Sequence, residues 1–133
     1  MLGHGEIISP FQAQQKNPLA LAFLGDTVWE LLIRSELLTS TAKAGVLHKQ
    51  AVALANAKAQ ATASQVIYPQ LTQEEQDIFR RAENAQAKHS PPKNQSPVDY
   101  HRATGLEAIF GYLYLTGQNE RLFTLFTLAT REA

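Results

Sequence analysis

The sequence predicts an all-α domain, on three observations. Apolar residues recur at the three- and four-residue spacing of helix faces. Caps and breakers stand between the periodic segments. The strict alternation of a half-buried strand is almost absent. Residues 1–16 read as an extended lead-in to a domain over 17–133. Asn17 and Pro18 supply an N-cap and a first-turn proline, and the helix they start is expected to reach about Leu38. "TSTAKAG", 39–45, then makes a turn and offers the next cap. An Ala-rich helix runs from Ala44 to about Tyr68, with Val46, Leu47, Val52 and Leu54 at helical spacing, a break near Asn56 and a stop at Pro69. Thr72 and Glu75, three apart, spell a capping box for a helix that turns Ile78 and Phe79 inward and ends in a basic turn. "KHSPPKNQSPVD" is polar, carries three prolines and is a loop. Asp99 is the expected cap of "YHRATGLEAIFGYLYL", Gly117 ends that helix, and "NERLFTLFTLATRE" forms the last one.

Composition narrows the function classes. A chain of 133 residues, 44% of them apolar, suits one globular domain with one core. It has no cysteine, which excludes disulfides, thiolate zinc sites and thiol nucleophiles. "MLGHGEIISPFQAQQK" lacks the basic n-region and apolar h-region of a signal peptide, and no run approaches the roughly 18 apolar residues of a membrane span. A cytoplasmic location without membrane contact is the expectation. Formal net charge is zero, so any nucleic-acid contact must draw on basic residues gathered locally.

Two helices stand apart. The one over 18–38 is apolar nearly all round, with Leu21, Phe23, Leu24, Val28, Trp29 and Ile33. The one over 99–116 is similar, with Leu106, Ile109, Phe110, Tyr112 and Leu113. Such helices belong in the middle of a fold or at an interface. Each carries an acid in its apolar stretch, Asp26 and Glu107, beside Gly25 and between Gly105 and Gly111. Glycine costs about 1 kcal/mol against alanine in a helix, so these positions are read as sites of close backbone approach. The joint reading is two central helices in contact, with both acids facing one site. A buried carboxylate must be paired with a cation, protonated or bound to metal. Two alternatives stay open on the residues alone: ion pairs, with Arg34 or Arg102 as partners of Asp26, or an oxygen-ligand site for Mg²⁺ or Mn²⁺. His4, His48, His89 and His101 show no ligand spacing and read as surface or loop residues.

"ALAFLGDTVWEL" resembles the signature of the ribonuclease III catalytic domain, a hydrophobic residue followed by Leu-Gly-Asp, and "YHRATGLEAIFGYLYL" resembles its second catalytic helix. The form of both motifs, with "AKAQA" at 57–61, "LTQEEQDIFRRAENA" and "PKN" at 92–94, resembles the short Mini-ribonuclease III branch, which lacks a double-stranded RNA-binding domain. The similarity covers roughly residues 17–128. It implies metal-ligand and catalytic roles for Asp26 and Glu107, with Mg²⁺, or Mn²⁺, as cofactor. Two further acids of full-length ribonuclease III are replaced, by Ala22 and Thr104, as in the reduced pattern of the short branch. Thr104 is left to contribute a hydroxyl or a contact through water. The family's Arg-Gly-Arg-Asn-Ala reads "RAENA" here, so Glu83 stands in place of a basic residue.

The resemblance further implies a homodimer that cuts both strands of double-stranded RNA in the cytoplasm, and a task in maturation of the precursor of large-subunit ribosomal RNA. Arg80, Arg81, Lys88, Lys93 and Arg102 outnumber Glu83 and Asp99 by three between 80 and 102, so this stretch is the expected RNA face, with Arg81, Lys88, Lys93 and Arg102 as its contacts. Two other classes remain as alternatives: a catalytically weak duplex-RNA-binding module, and an all-α dimeric scaffold whose acids pair with arginine.

Overall fold

The computed structural model of the chain describes residues 7–38 and 41–131. Seven α-helices and no strand form among the described residues: α1 Pro10–Gln14, α2 Pro18–Leu37, α3 Ala44–Ala55, α4 Ala57–Ile67, α5 Gln73–Gln86, α6 Pro97–Leu115 and α7 Asn119–Arg131. The chain is all-α, as its periodicity predicts.

Most boundaries follow from local chemistry. Asn17 accepts from the Leu19 N–H at 2.8 Å and Pro18 opens α2. Asn56 breaks the Ala-rich run. Its extended backbone leaves the helix, its side-chain oxygen accepts from the Ala59 N–H at 2.9 Å, and its amide donates to the Val52 and Ala53 carbonyls at 3.2 Å. One side chain thus caps the end of α3 and the start of α4. Pro69 lies in a single 3₁₀ turn, Tyr68–Gln70, after α4. The Thr72–Glu75 capping box forms at α5. Gly117, at φ 68°, closes α6 with the paired backbone bonds of a Schellman motif, Gln118 N–H to the Leu113 carbonyl at 2.9 Å and Gly117 N–H to that of Tyr114 at 3.1 Å.

Four local expectations are corrected. The lead-in is not extended throughout, because Ser9, Pro10 and Gln12 build a capping box and start α1. Ser96, not Asp99, caps α6: Pro97 occupies the first helical position, so the cap must directly precede it, and the Ser96 hydroxyl accepts from the Asp99 N–H at 3.3 Å. α5 ends at Gln86, before Lys88, and its last turn holds no basic residue. α3 starts after Lys43 without a side-chain cap, while Thr39 and Ser40 lie outside the described residues.

α6 is the central element. α1, α2, α4, α5 and α7 all touch it, and α2 lies along it most extensively. The two approach closer than side chains permit. A Cβ on Gly25 would lie 1.6 Å from the Glu107 carbonyl oxygen, and one on Gly111 would lie 2.0 Å from that of Leu21. At Gly105 the neighbour is instead the Phe79 ring, 2.7 Å from a Cβ. Trp29, buried in α2, meets Phe110 edge-on at 5.1 Å and Phe126 at 5.4 Å, and its indole N–H donates to the Leu54 carbonyl at 3.2 Å. Glu75, 3% exposed, receives a fork from Arg121 of α7 at 2.7 and 3.1 Å, and the same guanidinium reaches the Gln70 carbonyl at 2.7 Å. No described helix is long and apolar enough to cross a membrane.

α2 departs from the all-round burial its composition suggests: Phe23 is 84% exposed. The glycine contacts generate a stability test. Gly25→Ala and Gly111→Ala each drive a methyl into a backbone carbonyl that cannot yield, so each is expected to cost more than about 3 kcal/mol. Gly45→Ala in α3, where a Cβ meets nothing within 4 Å, is expected to gain about 0.5 kcal/mol. Urea unfolding midpoints of the three variants check this order.

Candidate active site

Gly25 precedes Asp26 and rests on the backbone of Glu107, so the closest point of the α2–α6 crossing brings the two acids together. The Glu107 carboxyl is hydrogen-bonded to that of Asp26, with protonated Glu107 as the donor, and is pushed up to about 9. Burial is the largest cause. The hydrogen bond to Asp26 and its charge add to it, as does the charge of Glu30 one turn further along α2. A hydrogen bond from Gln60 opposes the rise. Gln60 lies on α4, is 2% exposed, and its amide reaches Glu107 Oε2 at 3.5 Å.

The two acids therefore meet where the helices cross, and the place is not deeply buried. Glu107 is half-buried and Asp26 is exposed, because this side of α2 faces solvent. Neither acid is ion-paired among the described residues. The pairs there join Arg80 to Asp77 and Arg121 to Glu75, so neither Arg34 nor Arg102 neutralises Asp26.

This donor set fits a hard divalent cation. Two carboxyl groups lie together beside a third acid, no lysine or arginine among the described residues is ion-paired with them, and a side-chain amide reaches one of them at 3.5 Å. Among the described residues no group of three His, Cys, Asp or Glu is placed to hold a metal, so a cation bound at the pair would take most of its coordination shell from other oxygens.

The remaining candidates disperse. Thr104 is buried and its hydroxyl donates to the Tyr100 carbonyl of its own helix at 3.0 Å, which occupies it locally. Arg81 donates to the Gln14 carbonyl at 3.0 Å and so ties α5 to α1. Lys88 and Lys93 are exposed in the loop between α5 and α6. Arg102 is half-buried and points not to the acids but into a cavity shared with Glu83. Burial raises the Glu83 pKa, and the charges of Arg102 and His101 pull it back. His48 and His89 are exposed, His101 lies against the Tyr100 ring, and His4 is outside the described residues. Two neighbours of the acids went unassigned in the sequence. Glu30 had a signal, since it lies four residues after Asp26 and therefore on the same helix face. Gln60 had only a weak one, a lone amide in an alanine run.

Comparison with known proteins gives the family of the chain. Residues 19–118 match the ribonuclease III domain. The Mini-ribonuclease 3 of Symbiobacterium thermophilum is 44% identical over 79% of this chain and 81% of its own length. That of Thermosynechococcus vestitus is 41% identical over 96% and 85%. A crystal structure of a protein from Fusobacterium nucleatum superposes with a TM-score of 0.81 at 33% identity, covering 89% of this chain and 94% of the other. The paired acids, the glycines beneath them and the helical frame thus belong to a chain of the Mini-ribonuclease 3 family, built on the ribonuclease III domain.

Proposed function

We propose that this chain, a ribonuclease by family, is a Mg²⁺-dependent endonuclease that cuts double-stranded RNA as a homodimer and acts on the precursor of large-subunit ribosomal RNA in the cytoplasm. The observation that carries the reading is the Asp26–Glu107 pair, two carboxylates in contact with no cationic partner among the described residues.

Asp26 and Glu107 would hold a divalent cation, Mg²⁺ or Mn²⁺, which would supply Lewis acidity at the scissile phosphate and lower the pKa of water. The chain's own groups do the rest. Asp26 and Glu107 provide hard oxygen donors, and Gln60 steadies Glu107 with one long hydrogen bond to an oxygen of its carboxyl, 3.5 Å. Glu30 adds negative charge that favours a cation over a second proton. Asp26 is exposed, so the pair is open to a substrate as large as a duplex. Lys88, Lys93 and Arg102 supply positive charge along one stretch of the chain, and A-form RNA is bound chiefly through phosphates, 2′-hydroxyls and shape. Arg81 is the weaker member of that set, since its guanidinium already serves the Gln14 carbonyl.

Asp26→Asn and Glu107→Gln are each expected to lower duplex cleavage in Mg²⁺ by roughly 10²-fold or more, the scale for losing one electrostatic group at a reacting centre. RNA affinity should be largely kept. Single-turnover cleavage beside filter binding, with EDTA as the control, checks this; near-parental cleavage by either variant removes that residue from the ligand set.

Glu107 also links stability to pH. Its carboxyl holds its proton to about 9 in the folded chain against an ordinary value of 4.5, so between those values the folded state binds more protons than the unfolded one. The sign is therefore negative: metal-free stability declines as pH rises through that window. Glu107→Gln should flatten the decline, read as urea midpoints at its two ends, and added Mg²⁺ should raise the high-pH midpoint of the parent more than that of the variant.

Salt dependence tests the loop. Each phosphate contact contributes about 0.9 to the slope of log affinity against log salt on a duplex, so replacing Lys88 and Lys93 together by Ala should flatten it by about two units at most. An unchanged slope places the RNA elsewhere.

A further inference from the structure

Among α4, the Tyr68–Gln70 turn, α5 and α6 lies a cavity of about 320 Å³ that is separate from the carboxylate pair. Tyr68, Pro69 and Phe79 form its apolar wall, and the Tyr68 and Phe79 rings brace one another edge-to-face at 5.3 Å. Glu83 enters from α5 and Arg102 from α6. The two feel each other's charge, yet they do not close into an ion pair. The half-buried Glu83 carboxylate, raised in pKa chiefly by burial, faces the same space as the Arg102 guanidinium, and no hydrogen bond joins the two. The cavity therefore offers two acceptors, a planar set of donors and a rigid aromatic wall, at the lower end of the size range of small-molecule sites.

Its position is informative. Ser64 lines the cavity one turn beyond Gln60 on α4, and Arg102 lies five residues before Glu107 on α6. At the rise of an α-helix both spacings place it roughly 6–8 Å along the same α4–α6 seam from the acids. A nucleotide flanking a phosphate at the acids is within reach of it.

We propose that this cavity recognises an unpaired guanine of the RNA substrate, with Glu83 accepting from the N1–H and N2–H groups, Arg102 donating to O6, and the ring lying against Tyr68. This rests on the RNA-cleaving reading above. Guanine is the base whose Watson–Crick edge sets two adjacent donors beside an acceptor. Adenine would turn an amino group toward the guanidinium, and uracil and cytosine each lack the second adjacent donor. The edge must be free, so the base is one splayed from a bulge, loop or end, where sequence-specific RNA recognition concentrates.

The test uses the full chain without divalent cation. Guanosine 5′-monophosphate should bind at least about tenfold tighter than adenosine 5′-monophosphate, the scale of one good bidentate contact. Glu83→Gln, close in shape to the parent residue, should erase that preference while its unfolding midpoint shows the fold retained; Arg102→Gln should weaken guanine binding as a second check. A parallel arm compares duplex RNAs carrying a single unpaired guanine or a single unpaired adenine. Tighter binding of the guanine RNA in the parent, lost in Glu83→Gln, identifies an RNA base as the ligand. Equal affinity for the two mononucleotides, equal affinity for the two RNAs, or a preference that survives Glu83→Gln overturns the proposal. Both arms read binding alone. A parent that prefers guanine but cuts no duplex in Mg²⁺ would overturn the nuclease reading and leave the cavity assignment standing, and the converse result would overturn the cavity assignment alone.

Discussion

Contact between the backbones of α2 and α6 is the constraint on which the rest of the structure depends. Gly25 lies on the carbonyl of Glu107, and Gly111 lies on the carbonyl of Leu21. The two contacts are four residues apart on each helix and run in opposite directions, so they define an antiparallel crossing and its register together. Sliding one helix by a turn would bring a residue with a Cβ into a space that holds only hydrogen. Packing of this kind is not graded by hydrophobicity: neither glycine buries a side chain, yet between them they determine which residues of the two helices are opposite. Asp26 meets Glu107 because only glycine fits against the Glu107 carbonyl, and Asp26 follows that glycine.

Two acids of this chain illustrate what such placement costs. Glu75 is almost fully buried and fully served: it accepts from its own cap backbone at 2.9 Å and from two nitrogens of Arg121. Glu107 receives one long hydrogen bond from Gln60 and otherwise faces two further acids, Asp26 and Glu30. The same residue type is structural in the first case and electrostatically unresolved in the second. Carboxyl groups brought together without a counter-charge gain when a cation displaces their proton, and that unresolved state sets this corner of the fold apart from Glu75 and its arginine.

Much of this was legible in the residues. Helix class, the break at Asn56, the Thr72 capping box and the closure at Gly117 are local events, decided within four or five residues, and each formed where its chemistry is written. Glycine beside an acid in an apolar helix pointed to the crossing, because a helix tolerates that glycine only for a packing reason. The errors have equally physical origins. α1 is five residues long and too short for a periodic signal, although its capping box was spelled out by Ser9 and Gln12. Asp99 was a plausible cap until Pro97 is considered, since a proline at the first helical position requires its cap immediately before it. Phe23 and Asp26 show that an apolar helix need not be covered on every side. Gln60 and Arg81 were beyond local reach, because each is defined by a partner 47 or 67 positions away in the chain.

The surroundings of Trp29 have a spectroscopic consequence. It is the only tryptophan in the chain, and it stands between rings contributed by α6 and α7 while its indole N–H is held by a carbonyl from the end of α3. Four helices converge on one fluorophore. Its emission maximum and quenching by solutes therefore register whether those helices are assembled, with no label added. It lies three residues along α2 from Asp26, on the face turned inward, so the signal of assembly is set by ring packing in the core, away from the solvent-facing carboxylate.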